Sequence, residues 1–557
     1  MDRQPPSAAT PGTSQDGGSR TRHGSRDLLV ALAMVAVALL FRLPHLEQTP
    51  GWDGDEGYNL DLAWHLSQGR AQSFALAASF TQHPILSYAL LAPLVALFGR
   101  ELWVLRALSA VAGGLTAGLL YLAAAASGPR RVAVLAALAF AGTAFTVAYN
   151  RLGYTYNLLL FWTALTLYLV IQAERHPGPH GAGPHQGREA GRPARWLWGA
   201  AACAALGWLT DQEGIFLPLF VAWRAPAGNR LAVLAVGLAP AILAAVAMLA
   251  WQPAVALTDW AYSFTRLVSP GGTASADPAA GSSLVALATA LATALARWVL
   301  NYFHLLGVEW WWPAAIAGLF SIRPLGARRR LLSLAGLMVV PIFALRELNP
   351  WFRTGIPLLL PAAWGLGSLM DAGIVAVYQT AGRSRRWLGA VLAAMVVALP
   401  LGLELGRSAG GLLIGFTLPF DWALTLPTEQ EHARRAAAYV NGRTGPGDVV
   451  LVSPHVSWLY QAQVADFLQA VAAGGEAIAF YPAGLPRERF RFDPSPDNAR
   501  YAVLDGYWDR WGAEAPAVAR LMAHIQAWPL ELQTGQYRVH RRPPGPPPQS
   551  SERLGMG

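Results

Sequence analysis

Long apolar runs follow one another through most of this chain, and they fix the solvent in which it folds. They lie near residues 27–44, 83–99, 103–127, 131–149, 155–173, 194–210, 212–224, 230–250, 284–303, 308–322, 331–347, 354–377 and 386–405. A hydrocarbon core about 30 Å thick takes roughly 20 apolar residues per helical crossing. Several runs are shorter than that, so the sequence predicts a polytopic α-helical membrane protein with about 11–13 transmembrane helices. An odd number of crossings puts the C-terminal part on the side opposite the N-terminus. Charged residues make up only 13% of the chain, where a soluble domain carries about 25%.

The net charge of +9 is accordingly read as topology and contact with the lipid bilayer, and nucleic acid is excluded as a partner. No Lys occurs in the 557 residues, so any bound anion meets Arg forks or imidazoles. The one Cys, Cys203, lies in an apolar run and reads as packing. Arg20, Arg22 and Arg26 precede the first run and place the N-terminus in the cytoplasm, with that run an uncleaved anchor. The arginines of 174–195 (Arg175, Arg188, Arg192, Arg195), of 323–330 (Arg323, Arg328, Arg329, Arg330) and Arg383, Arg385 and Arg386 mark three more cytoplasmic segments. Arg130 and Arg131 also read as cytoplasmic, against simple counting from the first run. Either the segment starting at His83 does not fully cross, or the pair is an exception.

The pattern divides the chain. Residues 1–26, rich in Pro, Ser, Gly and Arg, read as a disordered cytoplasmic tail. Residues 27–426 form the membrane domain, with a first extracytoplasmic loop over 45–82. Residues 427–542 read as a small extracytoplasmic α/β domain: an amphipathic helix at 428–441, short strands at 447–453, 501–505 and 537–540, and a helix at 517–528. A Pro-rich disordered end follows over 543–557.

Asp55 and Glu56, in Gly51-Trp-Asp-Gly-Asp-Glu-Gly-Tyr58, sit just past the first apolar run. Acids at a membrane boundary are costly unless they act. Against that stands the plain reading of a helix N-terminus whose macrodipole favours acids. Asp55-Glu56-Gly57-Tyr58, then Ala63, Leu66 and Gly69, then His83-Pro-Ile-Leu-Ser-Tyr88 and Leu97-Phe-Gly99 resemble the GT-C membrane glycosyltransferases. The branch is that of protein O-mannosyltransferases and lipid A aminoarabinose transferases, glycosyltransferase families 39 and 83. Trp103-Val-Leu-Arg106-Ala-Leu-Ser109, Asn150-Arg151 and Trp351-Phe-Arg353-Thr-Gly-Ile-Pro357-Leu-Leu-Leu-Pro361 are similar to later landmarks of the same family.

The resemblance implies sugar transfer, mannose or another hexose or pentose, from a polyprenyl-phosphate donor to an extracytoplasmic acceptor at the cell membrane. The acceptor stays open between protein, glycolipid and wall polymer. Asp55 is then the general base of an inverting displacement, because the attacking hydroxyl must lose its proton. Glu56 would orient the acceptor or Asp55, or help hold a cation. Arg353 matches the late Arg and is the first candidate for the donor phosphate, with His83, Arg346 and Arg151 behind it. His83 stands where the aminoarabinose branch carries Lys, which argues against transfer to lipid A. Tyr58 and Tyr154 are candidate substrate contacts. Asp211 and Glu213 lie between two apolar runs and should face a cavity, where they could bind sugar. Trp310, Trp311 and Trp312 read first as an interfacial belt. No cofactor is required, and a divalent cation on the two acids stays open. The rival readings are a lipid or glycan transporter or flippase, which should show repeat symmetry absent from this sequence, and an anchored sensor working through its tail domain.

Overall fold

The computed structural model describes residues 17–70, 74–79, 84–176, 192–268, 292, 309, 311–323, 325–345, 352–381, 386–416, 426–479 and 481–544. His83, Arg346 and Trp310 lie outside the described residues, as do Arg188, Arg383, Arg385 and nearly all of the run at 284–303.

Helix α1, Gly17–Arg42, starts inside the stretch expected to be a disordered tail. No Pro occurs between 17 and 42, so the helix of the apolar run continues backwards into polar sequence. A loop leads to α2, Gly54–Ser67, and to a two-residue hairpin of β1, Phe74–Ala75, and β2, Ala78–Ser79. Next come α3, Leu86–Phe98, α4, Leu102–Ser127, α5, Arg130–Gly142, α6, Ala144–Arg151, and α7, Thr155–Arg175. The series continues with α8, Arg192–Thr210, α9, Phe216–Arg224, α10, Arg230–Trp251, and α11, Pro253–Val268. After 268 the described helices are α12, Trp311–Ser321, α13, Leu325–Leu345, α14, Leu359–Ala381, and α15, Arg386–Ile414.

Among the described residues five helical stretches are long and apolar enough to cross a membrane: 102–127, 155–175, 227–251, 355–381 and 386–414. The pair α5 and α6, bent by 58°, makes a sixth if it is one crossing. At this break Thr143 leaves the helical region with φ −65° and ψ 124°. The amide N–H of Ala144, freed by the break, donates to Glu404 Oε2 of α15 at 3.0 Å. That answers the need for every backbone group in lipid to find a partner.

The conflict over Arg130 resolves here. Arg130 pairs with Asp27, near the start of the first apolar run, at 2.8 Å. The two therefore share a face. Helix α3 has 13 residues, about 20 Å at 1.5 Å each, too short for a full crossing. Both observations agree with the first alternative, in which the segment beginning at His83 does not fully cross. Arg224 and Arg330 both pair with Glu174 at 2.5 Å and gather three further elements on one face.

The C-terminal part opens with α16, Pro427–Asn441. Its sheet holds β3, Val449–Leu451, β4, Gln463–Ala465, β5, Ala499–Leu504, β6, Leu530–Thr534, and β7, Tyr537–Arg541, in the order β4-β3-β5-β7-β6. β3 lies parallel to β4 and β5, while β7 runs antiparallel to β5 and β6. Helices α17, Phe467–Ala473, α18, Gly506–Glu514, and α19, Pro516–Gln526, cover one side. Strand alternation sorts the core. Val449, Leu451, Ala502 and Leu504 face these helices, while Val450, Tyr501, Val503 and Val539 face α16 and share a cluster with Trp52, Leu60 and Ala63. One hydrophobic core thus runs from the first loop into the sheet, so the loop and the sheet domain are packed as one body.

In the membrane part α12 and α14 cross at glycines. A Cβ on Gly318 would stand 1.8 Å from the Gly365 carbonyl oxygen, and one on Gly365 would stand 2.2 Å from that of Ala315. Such backbone proximity is a common source of helix association in lipid. A Gly318→Leu variant is expected to push the helices apart and destabilise by about 1–3 kcal/mol, read as a lowered Tm in detergent. An unchanged Tm would show that this crossing does not hold the bundle.

Candidate active site

Asp53 starts the site. Its side chain accepts from the Asp55 amide at 2.9 Å, and Glu56 reaches back to accept from the Asp53 amide at 3.1 Å. This capping box starts α2 and sets two acids in its first turn, where the helix dipole favours them. The two acids then part company. Asp55 keeps a side chain 42% exposed, and its Oδ2 meets Arg353 Nη1 at 2.5 Å. Glu56 is fully buried.

Glu56 faces Arg106 of α4 in a two-pronged pair, Nε to Oε1 at 2.7 Å and Nη2 to Oε2 at 2.6 Å. The Gly153 amide also donates to Oε1 at 2.7 Å. Arg106 gives its remaining N–H groups to the carbonyls of Leu46, Pro50 and Gly51. This differs from the expected contact of Glu56 with acceptor or cation: both oxygens are already taken, by the loop and by the turn after α6.

Arg151 departs from expectation in the same way. It is buried, and its guanidinium donates to the carbonyls of Phe41, Arg42, His45 and Thr49 and to the Thr49 hydroxyl. It ties the end of α1 to the loop and has no N–H left for a phosphate. Arg42, also buried, donates to the carbonyls of Ala38, Phe140 and Ala141 and to Asn150 Oδ1. Three dry guanidiniums therefore brace the base of the loop.

Arg353 lies in a short helical turn, Phe352–Leu358, ahead of α14. It stands over the ring of Tyr154, 5.8 Å from its centroid. Tyr154, buried, caps the start of α7. The next residue, Thr155, donates to Asp211 Oδ2 at 2.8 Å, and Asp211 Oδ1 accepts from the Glu213 amide at 3.0 Å. Asp211 thus works as a cap for the turn Gln212–Ile215, with Glu213 buried beside it. The structure brings together Asp55, Arg353 and Tyr154, with Asp211 held against Thr155, the next residue of the chain.

Tyr58 points the other way, donating its hydroxyl to Asp466 Oδ2 of the sheet domain. Burial lifts the Asp466 carboxyl to about 7, so the link between α2 and that domain titrates near neutrality. Gly57 allows the approach: a Cβ there would lie 1.8 Å from the Pro454 carbonyl oxygen. Tyr507 closes this side, its hydroxyl 3.7 Å from a Cβ built on Gly54. Ser87 donates to the Thr210 carbonyl at 2.8 Å and Tyr88 to Asn59 Oδ1 at 3.1 Å, so the motif after His83 holds α2 and α8 to α3.

Arg106, Asp53, Asp466 and Tyr507 were not singled out for roles from the sequence. The Asp53-x-x-Glu56 spacing and the Arg106 motif were legible signals; Asp466 and Tyr507 reach the site through tertiary packing. Among the described residues no cluster of three or more His, Cys, Asp or Glu could hold a metal ion.

Removing one partner of a buried pair strands the other charge, at a cost of about 3–5 kcal/mol. Glu56→Ala is therefore expected to lower the Tm sharply, and Glu56→Gln less so. A Glu56→Ala protein with the parental Tm would show that the carboxylate does not brace the loop.

Residues 82–256 match the family model described as dolichyl-phosphate-mannose-protein mannosyltransferase. Comparison with curated protein sequences finds no match. Among solved structures, ArnT from Cupriavidus metallidurans bound to undecaprenyl phosphate is similar with a TM-score of 0.54 at 16% identity, over 93% of this chain and 98% of that one. Archaeal oligosaccharyltransferase AglB from Archaeoglobus fulgidus, in complex with an inhibitory peptide and a dolichol-phosphate, gives a TM-score of 0.51 at 13% identity, over 88% of this chain and 70% of that one. The chain thus shares its fold with these two membrane enzymes, and residues 82–256 are similar to the mannosyltransferase family model.

Proposed function

We propose that the protein moves a sugar, mannose or another hexose or pentose, from a polyprenyl-phosphate carrier to a hydroxyl acceptor on the extracytoplasmic side. One observation carries this reading: the exposed acid of the first loop, Asp55, meets Arg353, the cation that opens a late membrane helix. Asp55 and Arg353 thus stand side by side where the first loop meets a late apolar helix, an arrangement that suits a base next to a phosphate ligand. The lipid phosphates bound by ArnT and AglB support a donor of this class for the present chain.

The chemistry is a single displacement. The acceptor oxygen attacks the anomeric carbon as its proton passes to an Asp55 carboxylate oxygen. The bond from that carbon to the phosphate oxygen breaks, and its electron pair leaves with the lipid phosphate. Arg353 neutralises the charge that develops there. Attack opposite the leaving group inverts the anomeric centre. Tyr154, under the guanidinium, fixes its plane through the ring face. Glu56, Arg106 and Arg151 act as positioning residues. The donor carries its own leaving group, so the scheme needs no cofactor.

Replacing the base is the direct test. Asp55→Asn in membranes supplied with polyprenyl-phosphate sugar is expected to insert normally and to lose about 10²–10⁴-fold in transfer rate. Sugar consumption close to that of the parent would favour a transporter and refute this reading.

A further inference from the structure

The far end of α2 carries a second cationic cluster, which the proposed chemistry does not use. His65, in the last turn of α2, is buried, with its ring edge-on to Phe74 at 6.2 Å. Its Nε2 lies 3.4 Å from Asp61 Oδ2. Its Nδ1 meets two guanidiniums, Nη1 of Arg70 and, at 3.2 Å, Nη1 of Arg491 from the sheet domain. Arg491 is also pinned by its backbone, its amide donating to the Ala77 carbonyl at 2.9 Å.

The charges here do not balance. Asp61 is the acid of the cluster, and it is engaged by Arg100 at 3.6 Å, by His65 and by the Leu76 amide. Among the described residues neither Arg70 nor Arg491 forms an ion pair, and each has one side-chain partner, the imidazole. A guanidinium offers five N–H groups, so most of those on both side chains are left to solvent. Burial, and then the like charge of Arg70, pulls Arg491 below its ordinary pKa. Two cations held close against their repulsion, one from the first loop and one from the sheet domain, are stabilised when an anion sits between them.

We propose that Arg70 and Arg491, backed by His65, form a subsite for a phosphate-type oxyanion between the first loop and the sheet domain. It is separate from the donor site: Asp55 and His65 lie ten residues apart on α2, about 15 Å along its axis. Lipid headgroups and soluble or acceptor-borne phosphates share the required chemistry.

The test uses the full chain in phosphatidylcholine nanodiscs, titrated with inorganic phosphate at constant ionic strength while the Tm is followed. The parent is expected to show a saturable rise in Tm. Arg70→Gln and Arg491→Gln are each expected to raise the phosphate midpoint at least about tenfold, while Arg435→Gln, at an exposed position of α16, leaves it alone. Starting Tm values and size-exclusion profiles show whether each variant is folded. Should one of the two fail to fold, the other decides. Discs containing phosphatidylglycerol separate the sources: a phosphate response lost in them assigns the site to headgroups, and a response kept assigns it to soluble or acceptor-borne phosphate. A midpoint unmoved in both variants, or moved only by Arg353→Gln, overturns the proposal, whatever becomes of the transferase reading.

Discussion

The arrangement depends on the buried pair of Glu56 and Arg106. A charge taken out of water is tolerated only where a partner and hydrogen bonds replace the solvent it lost. Here both carboxylate oxygens and all five guanidinium N–H groups are used. The partners come from the loop before α2, from α2 itself, from α4 and from the turn after α6. One ion pair thus fixes how the first loop sits on the membrane bundle. Asp55 is one residue away and inherits that placement.

Neighbouring acids in one helical turn point in different directions, so the same motif supplies both a brace and an open group. Glu56 looks inward to Arg106, and Asp55 looks along the loop surface to Arg353. The arginines divide similarly. Arg42, Arg106 and Arg151 are dry and spend their N–H groups within the protein, on carbonyls, Asn150 and Glu56, whereas the partly exposed Arg353 meets the exposed Asp55 and the Tyr154 ring face. In a chain without Lys, Arg carries most of the cationic work, and Arg42, Arg106 and Arg151 are committed to bracing the loop.

Much of this was legible in the sequence. The apolar runs announced a polytopic bundle, and the Gly447–Ser453 and Tyr537–His540 stretches announced a sheet-bearing C-terminal part. Asp55 and Arg353 were singled out through family likeness, and the structure brings the two side by side although they lie 298 positions apart. Less visible was the contrast between Asp55 and Glu56, because burial is a tertiary property that adjacent residues need not share. Arg151 stood behind Arg353 as a phosphate candidate, and its hydrogen bonds to Phe41, Arg42, His45 and Thr49 show it braced within the protein. The short strands β4 and β6 escaped notice for local reasons. β4 has three residues, and β6 is a half-exposed edge strand with little alternation. The docking of Tyr58 on Asp466 had no local signal at all.

The central claim is a division of labour, in which Arg353 holds the lipid phosphate and Asp55 takes the proton. Native mass spectrometry of polyprenyl phosphate bound to the parent, to Arg353→Gln and to Asp55→Asn separates the two roles. The account predicts that the Arg353 variant loses the lipid while the Asp55 variant keeps it. Equal retention by both variants, or loss in the Asp55 variant alone, would contradict it.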